Sequence, residues 1–311
     1  MSVSERLVQL LRDVSAQILE AQRPVRVLRA LAWDERVERD FFAAGGNELP
    51  RPTYPIPLAD IEKSLERFRD LKLQVSGDND IERFLRETCD SYATAARMLG
   101  TVGTKDFYFH SSELYGRPGS LSFDRKTTNL DLAQHFTQVV DSVAGHARLP
   151  SPMDDEVMSA EEVVPELQRR FAESFPGRGI RVEVVDGMVA KAAARVDVVQ
   201  VKRGARFSRR DLLLLEHHEG DVHLATAING RAQPVMPFVG FPSPRTTGTQ
   251  EGLAVLTEFF TQSTSVDRLR RLADRTLAIK MAEDGASFVD LYRAFQGRGY
   301  DERAAFDLAR R

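Results

Sequence analysis

The chain reads SRRDLLLLEHHEGDVH over residues 208–223. Ser208 and Asp211 have the spacing of a capping box, which predicts a helix that begins at about Arg209. The four leucines that follow are too apolar for a surface helix, so we expect this helix to be buried. It leads into three of the six histidines of the chain, together with three acidic residues. A buried helix that ends in so many metal-binding side chains predicts a metal site.

This stretch is close to the H-E-x-x-H pattern of zinc hydrolases, in which imidazoles hold the ion and the carboxylate takes a proton from water. Here the spacing is one residue longer, because His223 follows His218 and Glu219 after three residues. At 3.6 residues per turn, five residues rotate by about 140°, whereas four residues rotate by about 40°. A regular α-helix would therefore separate the two imidazoles. We predict a π-type distortion or the end of the helix, and Gly220, which has no Cβ, is a suitable place for it.

The residues alone leave two other interpretations open. In the first, the histidines and glutamates form a polar helix end that makes salt bridges with Arg209 or Arg210. In the second, the helix is regular and Glu219 shares a face with His223, so that Glu219 is a ligand and His218 is displaced. The path of the helix after the first histidine distinguishes these cases.

A third ligand must come from another segment, and Glu251 is the candidate. Thr249 is a suitable N-cap for a helix that continues over Val255–Gln262. On this helix Glu258 lies seven residues, or two turns, after Glu251 and on the same face. Glu258 is therefore expected to support the metal ligands by hydrogen bonding or to serve as a reserve ligand.

The first hundred residues are expected to be almost wholly helical, because four segments repeat apolar residues at three- and four-residue steps. These segments are Val3–Gln22, Val25–Ala44, Ile61–Leu71 and Ile81–Leu99. After Gly100 the composition shifts to aromatic and turn residues, which predicts irregular backbone of the kind that often lines a site.

Two valine-rich segments just before the metal helix, Arg181–Val185 and Arg195–Lys202, predict two or three paired strands. The second strand could present an edge to which an extended substrate adds, although ordinary sheet pairing explains it as well. We therefore predict an α+β fold in which a helical region, residues 1–100, precedes a zincin-like catalytic domain, residues 101–311. That domain is expected to contain a small antiparallel sheet and the metal-binding helix.

Composition excludes several functional classes. The 43 basic residues nearly balance the 46 acidic residues, so the net charge of -3 favours neither nucleic acid nor an anionic membrane as a partner. The single cysteine, Cys89, supplies neither an internal disulfide nor a thiolate cluster for metal. Charged residues interrupt the N-terminal segment, and no segment has about 18 consecutive uncharged apolar residues. We expect a soluble, cytoplasmic protein, and the sequence does not indicate its oligomeric state.

At these motifs the sequence resembles a known family, the flavohemoglobin expression-modulating QEGLA motif proteins, which includes the eukaryotic microtubule-associated tyrosine carboxypeptidases. The resemblance rests on two motifs that are specific together, HExxxH at 218–223 and QEGLA at 250–254. Weaker support comes from ELYGRP at 113–118 and from the segment Trp33–Phe42, so the resemblance spans most of the chain.

The resemblance implies a zinc peptidase and assigns roles to four residues. It implies that His218, His223 and Glu251 bind Zn²⁺ and that Glu219 activates water. It does not transfer tubulin as the substrate. We expect a peptide or protein C-terminus to be cleaved by metal-activated water without a covalent intermediate.

A C-terminal carboxylate would require a cation close to the metal, and Arg245 is the leading candidate, with Lys126 as another. Tyr115 and His110 could donate hydrogen bonds to the oxyanion that develops during hydrolysis.

Two alternative functions remain: a regulatory protein that keeps the metal for structural reasons, and a zinc amidohydrolase that acts on a small metabolite or an isopeptide. Glu219 favours an enzyme, because a structural metal site does not need a carboxylate directly after its first ligand.

Overall fold

The computed structural model describes residues 3–144, 153, 155, 157–188, 190–195 and 197–310. Within these ranges most residues are helical, and the strands form two small sheets. The predicted α+β class is therefore confirmed. The α-helices are α1 (Val3–Ala21), α2 (Val27–Ala30), α3 (Glu35–Ala43), α4 (Leu58–Gln74), α5 (Asp80–Gly100), α6 (Lys105–Tyr115), α7 (Asn129–Ala144), α8 (Ala160–Ser174), α9 (Arg209–Leu214), α10 (Ala225–Arg231), α11 (Pro244–Phe260), α12 (Val266–Glu283), α13 (Phe288–Gly297) and α14 (Glu302–Arg310).

Two further helices are not α-helical. A π-helix, Leu215–Leu224, connects α9 to α10, and a 3₁₀-helix, Pro237–Gly240, lies between α10 and α11. The strands are β1 (Met158–Ser159), β2 (Arg181–Val185), β3 (Ala192–Ala194), β4 (Val198–Lys202) and β5 (Arg206–Phe207).

The chain divides into two compact units that are interleaved along the sequence. The first unit contains Met1–Ala32, Tyr54–Tyr115 and Glu156–Gln262. The second unit contains Trp33–Thr53, Gly116–Asp155 and Ser263–Arg311. The division into a helical region, residues 1–100, and a zincin-like catalytic domain, residues 101–311, remains a prediction.

The helical character of the first hundred residues is as expected, with one correction. The segment predicted as one helix, Val25–Ala44, is two helices, α2 and α3. Asp34 causes the restart, because its side chain accepts a hydrogen bond from the backbone N–H of Arg36 at 2.8 Å and so caps the new helix.

The aromatic segment after Gly100 is more regular than predicted. Its first part is the helix α6, which ends at Tyr115, immediately before Gly116 with φ of 76°. The glycine and proline residues that indicated a loop all follow this point, so they terminate the helix and do not prevent it.

The larger sheet has the strand order β2-β4-β3 and is mixed. The prediction of antiparallel pairing is confirmed for β3 with β4 and for β1 with β5, and it was wrong for β2 with β4. β4 pairs antiparallel with β3 and parallel with β2. The chain reverses direction in β3 and again in β4. β4 therefore runs parallel to β2 and antiparallel to β3. β4 is therefore the central strand, so the edge predicted for it was wrong, and β2 and β3 are the two edge strands.

The core of this region lies between α8, the larger sheet and the helices that follow it. Its fully buried members include Val163, Leu167, Phe171, Val199, Val201, Phe207 and Leu224. Alternate valines of β4 enter this core, as expected for a strand with one face covered. The α8 helix and the β3 strand both contact the π-helix, so the sheet and α8 together form its support.

The helix α11 begins earlier than predicted. Its first residue is Pro244 and its N-cap is Ser243, whereas Thr249, the predicted N-cap, lies inside the helix. Proline suits the first helical position because its φ is already helical and its missing N–H would have no partner there. Within the described residues, no helix combines the length and the apolar character needed to cross a membrane.

Candidate metal centre

The π-helix brings the two histidines of the HExxxH motif to the same side. Hydrogen bonds in a π-helix connect residues five apart, so His218 and His223 lie one above the other. Their ring centroids are 5.1 Å apart. The predicted π-type distortion is thus confirmed. The interpretation in which Glu219 replaces His218 as a ligand assumed a regular α-helix, and the helix is not regular here.

Packing against α8 explains why glycine lies in the π-helix. A Cβ placed on Gly220 would be 2.6 Å from Cε1 of Phe171, which is fully buried in α8. Any larger residue would have to displace this ring or the helix itself. A second contact joins the same two helices, because Glu216 forms an ion pair with Arg170 of α8. The salt bridges of this helix end with Arg209 or Arg210 remain a prediction.

The helix α11 packs against the π-helix and supplies Glu251. One carboxylate oxygen of Glu251 lies 3.8 Å from Nε2 of His218, and the other lies 3.6 Å from Nε2 of His223. Ligand atoms of the three residues all lie within 4.8 Å of one another. The side chain of Glu251 is 58% exposed, so this cluster is open to solvent on one side.

The three side chains fit a zinc ion. Two imidazole nitrogens and one carboxylate oxygen are one of the donor sets of catalytic zinc sites, which keep a fourth position open. In a tetrahedral site with bonds of about 2.0–2.1 Å, neighbouring ligand atoms are about 3.3 Å apart. The 3.6 and 3.8 Å separations are to different oxygens of Glu251, and with one ligand atom from each residue the cluster lies within 4.8 Å, so an ion would draw the three side chains together by up to about 1.5 Å.

Each histidine also has a hydrogen-bond partner on the far side of its ring. Nδ1 of His218 is 2.7 Å from Oε1 of Glu258, which is fully buried. Nδ1 of His223 is 3.3 Å from Oε1 of Gln250. Glu258 was predicted as either a supporting residue or a reserve ligand, and its position is that of a support. The role of Gln250 was not predicted, and its only sequence signal was its place beside Glu251.

Glu219 lies next to the cluster and is buried, with 9% of its surface exposed. Its Oε2 accepts a hydrogen bond of 2.6 Å from the backbone N–H of Ala194 in β3. Burial raises the pKa of Glu219, whereas His218 and His223 and the Ala194 N–H lower it. A partly desolvated carboxylate beside two imidazoles has the surroundings typical of a general base. The sequence gives no sign of the contact with Ala194.

The family model described as microtubule-associated tyrosine carboxypeptidase matches residues 39–311. The chain belongs to this family. The match covers both motifs at the metal centre and supports a carboxypeptidase-like enzyme that acts on proteins. No curated protein and no solved structure matches the chain significantly. The QEGLA name for the family is not part of the matched description and remains a prediction.

In this member of the tyrosine carboxypeptidase family, the predicted carboxylate anchor already has a partner. Arg245 forms an ion pair with Glu87, and its guanidinium lies over the ring of Phe84 at 4.9 Å. It also lies six residues before Glu251, about 9 Å along the axis of α11. A substrate carboxylate would have to compete with Glu87 for this cation.

The other predicted substrate-binding residues are distributed over both units. His110 and Tyr115 lie on α6, which packs against α11 in the first unit. Nδ1 of His110 is 3.8 Å from Glu113, and partial burial raises the pKa of Tyr115. Lys126 belongs to the second unit, where its backbone N–H donates to Asp124 at 2.9 Å. The substrate-binding roles of these residues remain predictions.

Proposed function

We propose that the chain is a zinc-dependent, zincin-like metallopeptidase that removes residues from the C-terminus of a protein or peptide. One observation carries this proposal: His218, His223 and Glu251 converge, and the buried carboxylate of Glu219 lies beside them. The family match supports the carboxypeptidase part of the proposal.

The chemistry divides between the ion and the chain. Zinc bound by the three ligands would polarise the scissile carbonyl and make water more acidic. Glu219 would accept the proton of the attacking water and later pass it to the leaving amine. The Ala194 N–H holds one carboxylate oxygen of Glu219 in a fixed direction, so the proton acceptor is oriented before the substrate arrives.

The strand β3 is the candidate surface for an extended substrate. It forms an edge of the larger sheet and contacts the π-helix that carries the base. Among the described residues, β3 pairs only with β4, through Ala192–Ala194. A substrate that adds along this edge would lie beside Glu219. Because the Ala194 N–H already donates to Glu219, the other backbone groups of this edge would hold the substrate, without a requirement for particular side chains.

The test compares matched peptides that have either a free or an amidated C-terminus. A carboxypeptidase recognises the free carboxylate by a charge-assisted contact, so we expect cleavage of the free peptides and little cleavage of the amidated ones. Mass spectrometry of the products from a peptide library identifies the residues removed. Glu219→Gln, purified in the same way, controls for contaminating peptidases.

The outcomes separate the competing functions. Equal cleavage of both peptide forms would indicate an endopeptidase or an amidohydrolase instead. Absence of any cleavage by the zinc-loaded protein would favour a regulatory metal-binding protein. Discrimination that survives both Arg245→Ala and Lys126→Ala would preserve the carboxypeptidase and reject these two anchors.

A further inference from the structure

The helix α11 does more than supply one ligand, because it also contacts the far side of both histidine rings. Gln250, Glu251 and Glu258 all belong to this helix. Gln250 contacts Nδ1 of His223, and Glu258 contacts Nδ1 of His218. Glu251 faces Nε2 of both rings. One regular helix thus contacts both nitrogens of both rings on the π-helix.

These contacts determine which nitrogen of each ring carries the proton. Oε1 of Glu258 lies 2.7 Å from Nδ1 of His218, and where this oxygen accepts the hydrogen bond, a neutral His218 carries its proton on Nδ1. Its Nε2 lone pair then points toward Glu251. The side-chain amide of Gln250 has both an acceptor and a donor end, so it supports the same state of His223 but does not enforce it.

We propose that Glu258 is the positioning residue that holds His218 in the metal-binding tautomer before any ion arrives, and that Gln250 does the same for His223 more weakly. This inference deepens the proposed function and rests on its metal site. The different burial of the two contacts supports the ranking. Glu258 is fully buried and its bond is 2.7 Å long, whereas the Gln250 contact is 3.3 Å long and only partly buried. A short hydrogen bond to a fully buried carboxyl oxygen is the stronger of the two.

If Glu258 and Gln250 position the two histidines, their substitution should weaken zinc binding to different extents. Loss of a carboxylate that supports a ligating histidine typically weakens metal binding by about ten- to a hundredfold. We expect zinc affinity to fall by that factor in Glu258→Ala and by less in Gln250→Ala. Glu258→Gln keeps the shape of the side chain, so it separates the loss of the carboxyl group from the loss of packing.

A direct test uses the ¹⁵N chemical shifts of the imidazoles in the metal-free protein, at a pH at which both rings are neutral. The wild type should show both rings protonated on Nδ1. In Glu258→Gln the preference of His218 should relax, because an amide can also donate, while His223 should be unchanged. In Gln250→Ala the change should appear at His223 only. Glu251→Ala is the matched control, because it should abolish tight zinc binding without changing either tautomer.

The same experiment separates failure of this inference from failure of the proposed function. A metal-free wild type with His218 protonated on Nε2, or an unchanged His218 in both Glu258 variants, would overturn the positioning role. Equal zinc affinities of the wild type and Glu258→Gln would overturn the predicted effect of Glu258 on metal binding. If the wild type bound no zinc but kept the expected tautomers, the metal site of the proposed function would be wrong while the hydrogen-bond assignment stood. Circular dichroism of each variant establishes that the compared proteins are folded.

Discussion

Two helices build the candidate site, and they do so by different geometries. The π-helix aligns residues five apart, and this brings His218 and His223 together. The regular helix α11 aligns residues seven apart, which places Glu251 and Glu258 on one face. Yet Glu251 is largely exposed, whereas Glu258 is fully buried. The number of residues per helical turn therefore determines which side chains lie on the same face. The burial of each side chain then determines its role, which is metal binding for the exposed Glu251 and support of a ligand for the buried Glu258.

The largest expected effect distinguishes the glutamates of the two helices. Glu219→Gln should lower turnover by about a hundred- to ten-thousand-fold while zinc is retained, because only the proton acceptor is lost. Glu251→Gln should lose both zinc and turnover. Peptide cleavage rates and elemental analysis of the two variants check this difference.

A matched control for these variants lies on the π-helix itself. Asp221 is 45% exposed and pairs with His217, so Asp221→Asn should leave the cleavage rate nearly unchanged. Loss of zinc from a folded Glu219→Gln protein would show that Glu219 is a ligand, contrary to the assignment.

A smaller effect compares one glycine from each helix. Gly220→Ala should destabilise the protein by about 1–3 kcal/mol, because the new methyl group meets the buried ring of Phe171. Gly252→Ala in α11 meets no atom within 4 Å and should stabilise the protein by about 0.5–1 kcal/mol. Urea unfolding of the metal-free variants measures both changes.

The double variant Gly220→Ala with Phe171→Leu identifies the cause. If the ring opposes the methyl group, the double variant should lose less stability than the sum of the two single variants. Equal behaviour of the two glycine variants would mean that the π-helix does not depend on close packing at Gly220.

The smallest expected effect concerns the start of α11. Thr249 lies within the helix and is exposed, so Thr249→Ala should change the free energy of unfolding by less than about 0.5 kcal/mol. If Thr249 capped the helix, the same change would cost about 1 kcal/mol. Urea unfolding at high precision separates the two values, and the larger one would contradict the helix start at Pro244.

The sequence predicts the elements of the site better than its surroundings, for physical reasons. The five-residue step between the histidines is incompatible with a shared α-helical face, so the distortion follows once both histidines are expected to bind one ion. The start of α11 is less well determined, because Ser243-Pro244 and Thr249 are both acceptable helix starts. Local preference does not choose between them.

Several features that the sequence did not predict depend on distant contacts. The parallel pairing of β2 with β4 depends on where β3 lies, and sequence periodicity does not report strand order. The hydrogen bond from Ala194 to Glu219 joins residues 25 positions apart, and the ion pair of Arg245 with Glu87 joins residues 158 positions apart. Neither contact leaves a pattern in a single sequence.

The central claim is that the π-helix and α11 together hold one zinc ion. Elemental analysis of the purified protein tests it most directly, with the double variant His218→Ala and Glu251→Ala measured beside the wild type. We expect close to one zinc per chain in the wild type, because two imidazoles and one carboxylate favour this ion, and almost none in the folded double variant. A folded wild type without zinc, or stoichiometric zinc retained by the double variant, would contradict the account.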